Sequence, residues 1–428
     1  MQLVFVLDRK KQPLMPCHPA RARQLLRAGR AVVHRLRPFT IRLKERVGGS
    51  VQPIRLKLDP GSKTTGIAIV RESEEQAVVL HLAELHHKTD IKKKLDQRRA
   101  YRRNRRTRKL RYRAPRFLNR TRPEGWLPPS LRARVDNILS WLRRYRRLAP
   151  VTALSLELAR FDTQALQNPE ISGVQYQQGE LAGYEVREYI LAKFGHACVY
   201  CGATDVPLEV EHVVPKSRGG SDRVSNLALS CHVCNQRKGD RTAAEFGHPE
   251  VQAQARQPLR DAAAINSTRW ALWRALAATG LPVEVGTGGR TKYNRTRLNL
   301  PKTHALDALC VGLSTPERVR LNGAGLLTIR AQGRGQYRRT LVSASGFPRG
   351  YLMRHKMVRG FRTGDVVQAT IPKGKYAGRH SGTVLVRAGG YFDLKRAGRL
   401  VAQGIAARYC RRAQRSDGYG YMLSPIPL

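Results

Sequence analysis

Apolar and polar positions alternate along short runs of this chain, and the runs are separated by stretches that are polar or basic throughout. LVFVLD (3–8) predicts a strand. Pro19 then opens a helix over ARARQLLRAG, Gly29 stops it, and AVVHRLRPFTIRL (31–43) returns as strand. Between them Pro13-Leu14-Met15-Pro16 reads as a turn. In the next segment Ile54, Leu56 and Leu58 alternate with Arg55, Lys57 and Asp59, the two-residue period of a strand. Asp59 ends that strand opposite the apolar row, Pro60-Gly61 turns the chain, and GIAIV (66–70) returns antiparallel. RARVDNILSWLRRYRRLAP (132–150) has the period of an amphipathic helix. Behind it Ala153, Ser155 and Glu157 alternate with Leu154, Leu156 and Leu158, a second strand with one acid on its polar face. Residues 163–183 read as a polar linker, and YEVREYILAKFG (184–195) as a helix. A later helix carries Trp270 and Trp273 as core positions. His304 and Asp307, three apart, share one face of another. From residue 318 on, FRTGDVVQAT and GTVLVRAGGYFDL read as short strands of a small barrel-like β domain studded by Lys373, Lys375, Arg379 and Arg387.

Charge changes this picture most. The 428 residues, enough for about two to four domains, carry 79 Lys and Arg against 31 Asp and Glu, a formal net charge of +48. Such a chain repels itself unless it meets a polyanion. Nucleic acid is the expected partner; a membrane surface is the alternative, but no long apolar span or signal-peptide pattern appears. The charge is densest in QRRAYRRNRRTRKLRYRAPRFLNRTR (97–122), which has no acidic residue. Arg98, Arg99, Arg102, Arg103, Arg105, Arg106, Arg108, Lys109, Arg111 and Arg113 fall on a stretch that reads as helix up to about Pro115, a surface for phosphates. The three cysteines outside the pairs described next, Cys17, Cys310 and Cys410, are scattered. That pattern fits a reducing cytoplasm without a disulfide framework.

The candidate chemistry is concentrated between residues 198 and 240. Cys198-x-x-Cys201 and Cys231-x-x-Cys234 are two knuckles spaced to close a tetrahedral zinc site with no open position. Between them stand Glu211-His212, a Pro-Lys-Ser-Arg-Gly-Gly turn and Asn226, and Asn235 follows the last cysteine. The alternative is a bare zinc ribbon with a surface histidine. The full set resembles the HNH nuclease motif, a ββα-metal fold, in its zinc-knuckle variant. That resemblance implies His212 as the general base, Glu211 and Asn235 as ligands of one Mg²⁺, and Asn226 as the brace of the catalytic loop. Many HNH motifs have Asp where Glu211 stands.

Singly, Asp59 is a turn former, Glu157 competes with nearby Asp162, and His304 with Asp307 is a structural pair. In this order they resemble the split RuvC nuclease of the RNase H fold, which implies Asp59, Glu157 and Asp307 around two Mg²⁺ ions and His304 at the attacking water. The whole arrangement, with its PLMP opening, resembles the IscB family, transposon-encoded RNA-guided nucleases related to the CRISPR type II effectors. The implied fold class is α/β: a split RNase H-like core, an inserted ββα-metal zinc-knuckle domain, an Arg-rich bridge helix and a small C-terminal β domain. The implied boundaries are a PLMP module at 1–52, RuvC segments at 53–95, 123–183 (with linker) and 246–317, the bridge helix at 96–122, HNH at 184–245, and at 318–428 a domain for RNA or the target-adjacent motif. The implied partners are a long structured guide RNA and double-stranded target DNA, bound by a monomeric protein without a membrane, in a prokaryotic cytoplasm and at the nucleoid when on DNA. A guide-independent nuclease, homing-type or junction-cleaving, and an RNA-binding protein with decayed sites are the competing readings.

Overall fold

A computed structural model of the protein describes residues 3–73, 76–107, 126–158, 187, 190–191, 193–204, 206–257, 260–321, 323, 325–333, 340–396 and 398–426. The chain divides into two units, one of residues 1–157, 274–285 and 290–428, the other of 158–273 and 286–289.

The first unit opens with four strands, β1 (Val4–Leu7), β2 (Pro13–Cys17), β3 (Ala31–Arg35) and β4 (Thr40–Leu43), ordered β2-β1-β4-β3. Helix α1 (Pro19–Arg27) starts on its proline, as the sequence requires. Pro13–Pro16 is not a turn: it lies in β2, paired antiparallel with β1. β2 is an edge strand, where prolines without amide protons are tolerated.

The long strands β5 (Ile54–Pro60), β6 (Thr64–Glu72) and β7 (Gln76–His86) form an antiparallel meander. After helices α2 (Ile91–Thr107) and α3 (Pro129–Arg146), strand β8 (Val151–Glu157) lies parallel to β5. Two antiparallel strands of the second unit, β9 (Leu208–His212) and β10 (Leu227–Cys231), come next in the chain, followed by α4 (His232–Lys238), α5 (Pro249–Arg256) and α6 (Arg260–Ala277). The chain returns through β11 (Val283–Gly286), α7 (Gly288–Arg297), α8 (His304–Leu309), β12 (Arg318–Arg320) and β13 (Gly325–Ala331). Two short hairpins, β14 (Thr340–Val342) with β15 (Pro348–Tyr351) and β16 (Met357–Val358) with β17 (Phe361–Arg362), precede a five-stranded antiparallel sheet. Its strands are β18 (Val366–Ile371), β19 (Gly378–Val386), β20 (Tyr391–Arg396), β21 (Arg399–Ala406) and β22 (Cys410–Gln414), ordered β21-β20-β19-β18-β22. Finally β23 (Tyr419–Pro425) pairs antiparallel with β13.

The large sheet therefore runs β11-β8-β5-β6-β7-β13-β23, with β12 on the same edge of β7 as β13. Residues 318–428 are shared between this sheet and the five-stranded one. On one face α8 packs Ala305, Leu306, Ala308 and Leu309 against Ala68, Val70, Val79 and Leu82. Its first turn crosses Gly66 so closely that a Cβ there would stand 1.7 Å from the His304 carbonyl oxygen. Gly66→Ala is expected to destabilise the protein by about 1–3 kcal/mol, as forced overpacking does, read from its denaturant midpoint. Against the sheet also lies α3, whose Trp141 and Tyr145 are fully buried. His81 on β7 hydrogen-bonds the Tyr145 hydroxyl at 2.8 Å, and burial pushes its imidazole down to about 3, so it stays neutral.

In the second unit β9, β10 and α4 form a ββα element over a small core of Ile190, Leu191, Leu208, Val224, Leu227 and Leu229 with three of the four knuckle cysteines. Trp270 on α6, expected in the core, is 47% exposed and meets Trp273 edge-on. The linker at 163–183 lies outside the described residues, as does half of the helix expected at 184–195. No described helix is long and apolar enough to cross a membrane.

Candidate active sites

Leu58 on β5 pairs with Leu156 on β8, so the next residues, Asp59 and Glu157, leave neighbouring parallel strands at one end. The third acid comes from α8, which the glycine gap at Gly66 lets down onto the sheet. His304, the first residue of α8, places Nδ1 3.0 Å from Asp59 Oδ2. Asp307, one turn on, faces the Arg295 guanidinium at 2.8 Å. The structure thus brings Asp59, Glu157, His304 and Asp307 together.

Their electrostatics agree. Burial and the Asp59 charge push Glu157 up to about 8, against a hydrogen bond with Thr291. The same two causes push Asp307 up to about 6, against Arg295. The hydrogen bond to Asp59 holds the His304 imidazole above its ordinary value, against burial. Crowded carboxylates of this kind are a donor set for a hard divalent cation. A carboxylate raised on folding withdraws stability as pH climbs from its unfolded to its folded value, and a raised histidine contributes stability that is likewise lost as pH rises. Melting temperature without added Mg²⁺ is therefore expected to fall between pH 5 and 8. Added Mg²⁺ should restore more of it at pH 8, where the carboxylates are charged, than at pH 5.

Sequence reasoning missed Thr291, Arg295 and Glu84. Glu84 on β7 stands in the same cross-strand row as Asp59, through Gly66, and its charge acts on His304. Such a row is a property of register, which local alternation does not reveal.

In the second unit the Sγ atoms of Cys198, Cys201, Cys231 and Cys234 all lie within 4.8 Å of one another. Among the described residues this is the one such group of His, Cys, Asp or Glu ligands; the three carboxylates are spread more widely. Burial raises the Cys198 thiol, but amide hydrogen bonds from Cys201, Cys231 and Tyr200 outweigh it and bring it down to about 7. Four thiols so placed fit a structural zinc.

His212 ends β9, opposite Leu227. Its Nε2 lies 2.7 Å from Asp222 Oδ1. Glu211 is buried: it accepts from the Tyr200 hydroxyl and faces Lys238 Nζ at 2.8 Å, both side chains 2% exposed. Asn235 donates to Glu209 Oε2 at 2.7 Å. Each of these two predicted ligands thus has a protein partner of its own, and a cation at Glu211 competes with the Lys238 ammonium. Asn226 closes the loop after His212: its Oδ1 accepts from the Val214 amide and its Nδ2 donates to Val214 O and Ser221 O, all at 2.9 Å.

Of the arginine run, α2 covers Arg98 to Thr107, with Arg98, Arg99, Arg102 and Arg103 exposed and Arg106 half-buried. One face is anchored: Asn104 donates to Ser345 O at 2.9 Å, and Gly346 leaves room for Tyr101. The Arg105 side chain and Arg108, Lys109, Arg111 and Arg113 lie outside the described residues. On the five-stranded sheet Lys373, Lys375 and Arg379 are exposed, while Arg387 pairs with Asp393 at 2.6 Å.

Two segments of the chain match known families. Residues 198–241 match the HNH endonuclease family and residues 4–179 the RRXRR protein family. The first of these matches spans both cysteine pairs and His212, so the chain carries an HNH endonuclease segment within a mixed α/β fold. The RRXRR segment lies ahead of it on the same chain, and the two matches together support the resemblance to nucleases of the IscB and Cas9 type. No curated protein matches. Among solved structures, Streptococcus thermophilus Cas9 in complex with the AGAA PAM is 14% identical, over 59% of this chain and 31% of that one, with a TM-score of 0.21. The type II-C Cas9 enzyme from Actinomyces naeslundii is 20% identical, over 44% and 29%, with a TM-score of 0.16. The chain spans about a third of the length of these structures.

Proposed function

We propose that the protein is an RNA-guided, metal-dependent DNA endonuclease with two cutting sites. His212 serves the cut in the guide-paired strand. The cluster of Asp59, Glu157, His304 and Asp307, on a sheet we read as a split RNase H-like RuvC core, serves the cut in the displaced strand. The observation that carries this reading is the convergence of three acids and a histidine from β5, β8 and α8 in one unit, on the same chain as an HNH segment. Two strands need two cuts, and two sites supply them.

At the acid cluster, Asp59, Glu157 and Asp307 would hold two Mg²⁺ ions, which stabilise charge on the phosphate in flight and on the leaving oxygen. His304, with Nδ1 committed to Asp59, keeps Nε2 to take a proton from the attacking water. In the second unit the four thiols would hold zinc as a staple, and His212 takes the proton. There Glu211 and Asn235 would hold one Mg²⁺, whose charge would supply stabilisation of the phosphate.

The exposed arginines of α2 bind the phosphates of a long structured RNA, whose charge offsets the excess of +48. Pairing reads the sequence, and the five-stranded sheet reads a short flanking duplex. The test is to purify the protein from cells carrying its native locus and sequence the bound RNA. One enriched long RNA with a variable end is expected, and DNA matching that end should be cut in both strands. No enriched RNA, with cutting of branched or nicked DNA instead, would establish the guide-independent reading. Reversing Arg98, Arg99, Arg102 and Arg103 to Glu is expected to strip most of that RNA, read as nucleotide recovered per mole of protein.

A further inference from the structure

The loop between β9 and β10 carries a residue that neither family match assigns a role. Asp222 stands ten residues after His212, and the loop bends it back so that Oδ1 meets His212 Nε2 at 2.7 Å. Its other oxygen faces Lys216 Nζ at 2.9 Å. The loop has little freedom to place it otherwise. Gly219 has a left-handed backbone, φ +80°. At Gly220 a Cβ would stand 1.8 Å from Val214 O and 2.9 Å from Asn226 Nδ2. Asn226 ties both ends, Val214 and Ser221. The backbone of His212 is fixed as well, its carbonyl accepting from Lys238 Nζ at 2.8 Å.

We infer that Asp222 is the positioning residue of His212, forming with it a carboxylate–imidazole dyad that fixes the ring and leaves Nδ1 as the basic atom. The chemistry follows from the contact. A carboxylate flanked by the Lys216 ammonium is ionised and only accepts hydrogen bonds, so Nε2 must carry the proton it shares with Asp222. A neutral imidazole then has its lone pair on Nδ1. When Nδ1 takes a proton from water, the ring becomes a cation and Asp222 stabilises it in place, as the third member of a nucleophile–base–acid array does. Lys216 restrains the carboxylate from the far side.

This inference rests on the reading of His212 as the base. It is tested in the full chain with Asp59→Ala in the background, so that only the His212-dependent cut is scored on a duplex that the wild-type chain cuts. Asp222→Asn is expected to lower the single-turnover rate at saturating DNA about 10- to 100-fold, the usual effect of losing an orienting carboxylate. The DNA concentration for half-maximal rate should stay unchanged. Asp222→Glu should recover most of the rate. Asp222→Asn added to His212→Ala should slow the reaction no further, because the two act as one unit. Zinc per chain should equal wild type in every variant. A wild-type rate in Asp222→Asn, with His212→Ala inactive, overturns the dyad alone. A wild-type rate in His212→Ala overturns the base assignment and the dyad with it. Additive losses in the double variant, or loss of zinc in Asp222→Asn, would make Asp222 a folding residue and overturn the inference.

Discussion

A Cys231→Ser protein is expected to lose its metal and, with it, the His212-dependent cut, while the Asp59-dependent site keeps its structure. The core beneath the knuckles is small: Ile190, Leu191, Leu208, Val224, Leu227 and Leu229 share it with Cys198, Cys231 and Cys234. A core of that size does not hold a domain by apolar burial alone. Structural zinc supplies on the order of 10 kcal/mol to small knuckle folds, more than this cluster replaces. Cys231 is also the last residue of β10, directly ahead of α4, so losing its thiol removes a metal ligand at the junction of the hairpin and the helix that carries Asn235. The measurements are zinc per chain by elemental analysis and strand-resolved cleavage. Stoichiometric zinc near 1 in wild type and near 0 in the variant is expected; full zinc in the variant would remove the assignment of the four thiols.

Asp59→Ala is expected to lower cutting of the displaced strand by on the order of 10³-fold or more, the usual scale for removing one member of a catalytic set that acts as a unit. The guide-paired strand should be cut as before. Asp59 sits between the other members: it accepts from His304 and its charge raises Glu157 and Asp307. Removing it therefore frees the histidine and lets both remaining carboxyls fall towards their ordinary values. The second readout is the melting profile, whose decline between pH 5 and 8 should flatten. Unchanged cutting of the displaced strand would sink the assignment of the acid cluster.

The clustered acids were ambiguous singly and legible only through their order along the chain, but the elements that carry them have clear periods. Ile54, Leu56 and Leu58 mark β5, Leu154, Leu156 and Leu158 mark β8, and residues three apart on α8 share a face. The cysteine spacing was legible for a different reason, since a tetrahedral ion tolerates few loop lengths. Alternation marks two faces of a strand but not what covers them. Arg55 and Lys57 read as an outward row, yet Lys57 is 1% exposed, its ammonium donating to Val311 O and Thr315 Oγ1 at 3.1 Å. β7 is apolar on both faces, a pattern that fits helix as well as strand. Thr291 and Arg295 beside the acid cluster are distant in sequence, Asp222 beside His212 lies in a loop, and no periodicity points to them.

The return of β23 to the large sheet sets the order in which this protein can be completed. A ribosome makes β5, β6 and β7 early, but the strand that covers β13 emerges only after the whole five-stranded sheet. Until then β13 presents a row of unpaired amides and carbonyls to any passing strand. The late segment also closes a seam: Asp417 takes Arg35 from the opening module and Arg144 from α3, and Tyr421 meets the same two guanidiniums. A nascent chain lacking β23 thus has its acid residues already made but an open edge three strands away from β5, so its fate is decided by how fast translation finishes relative to aggregation.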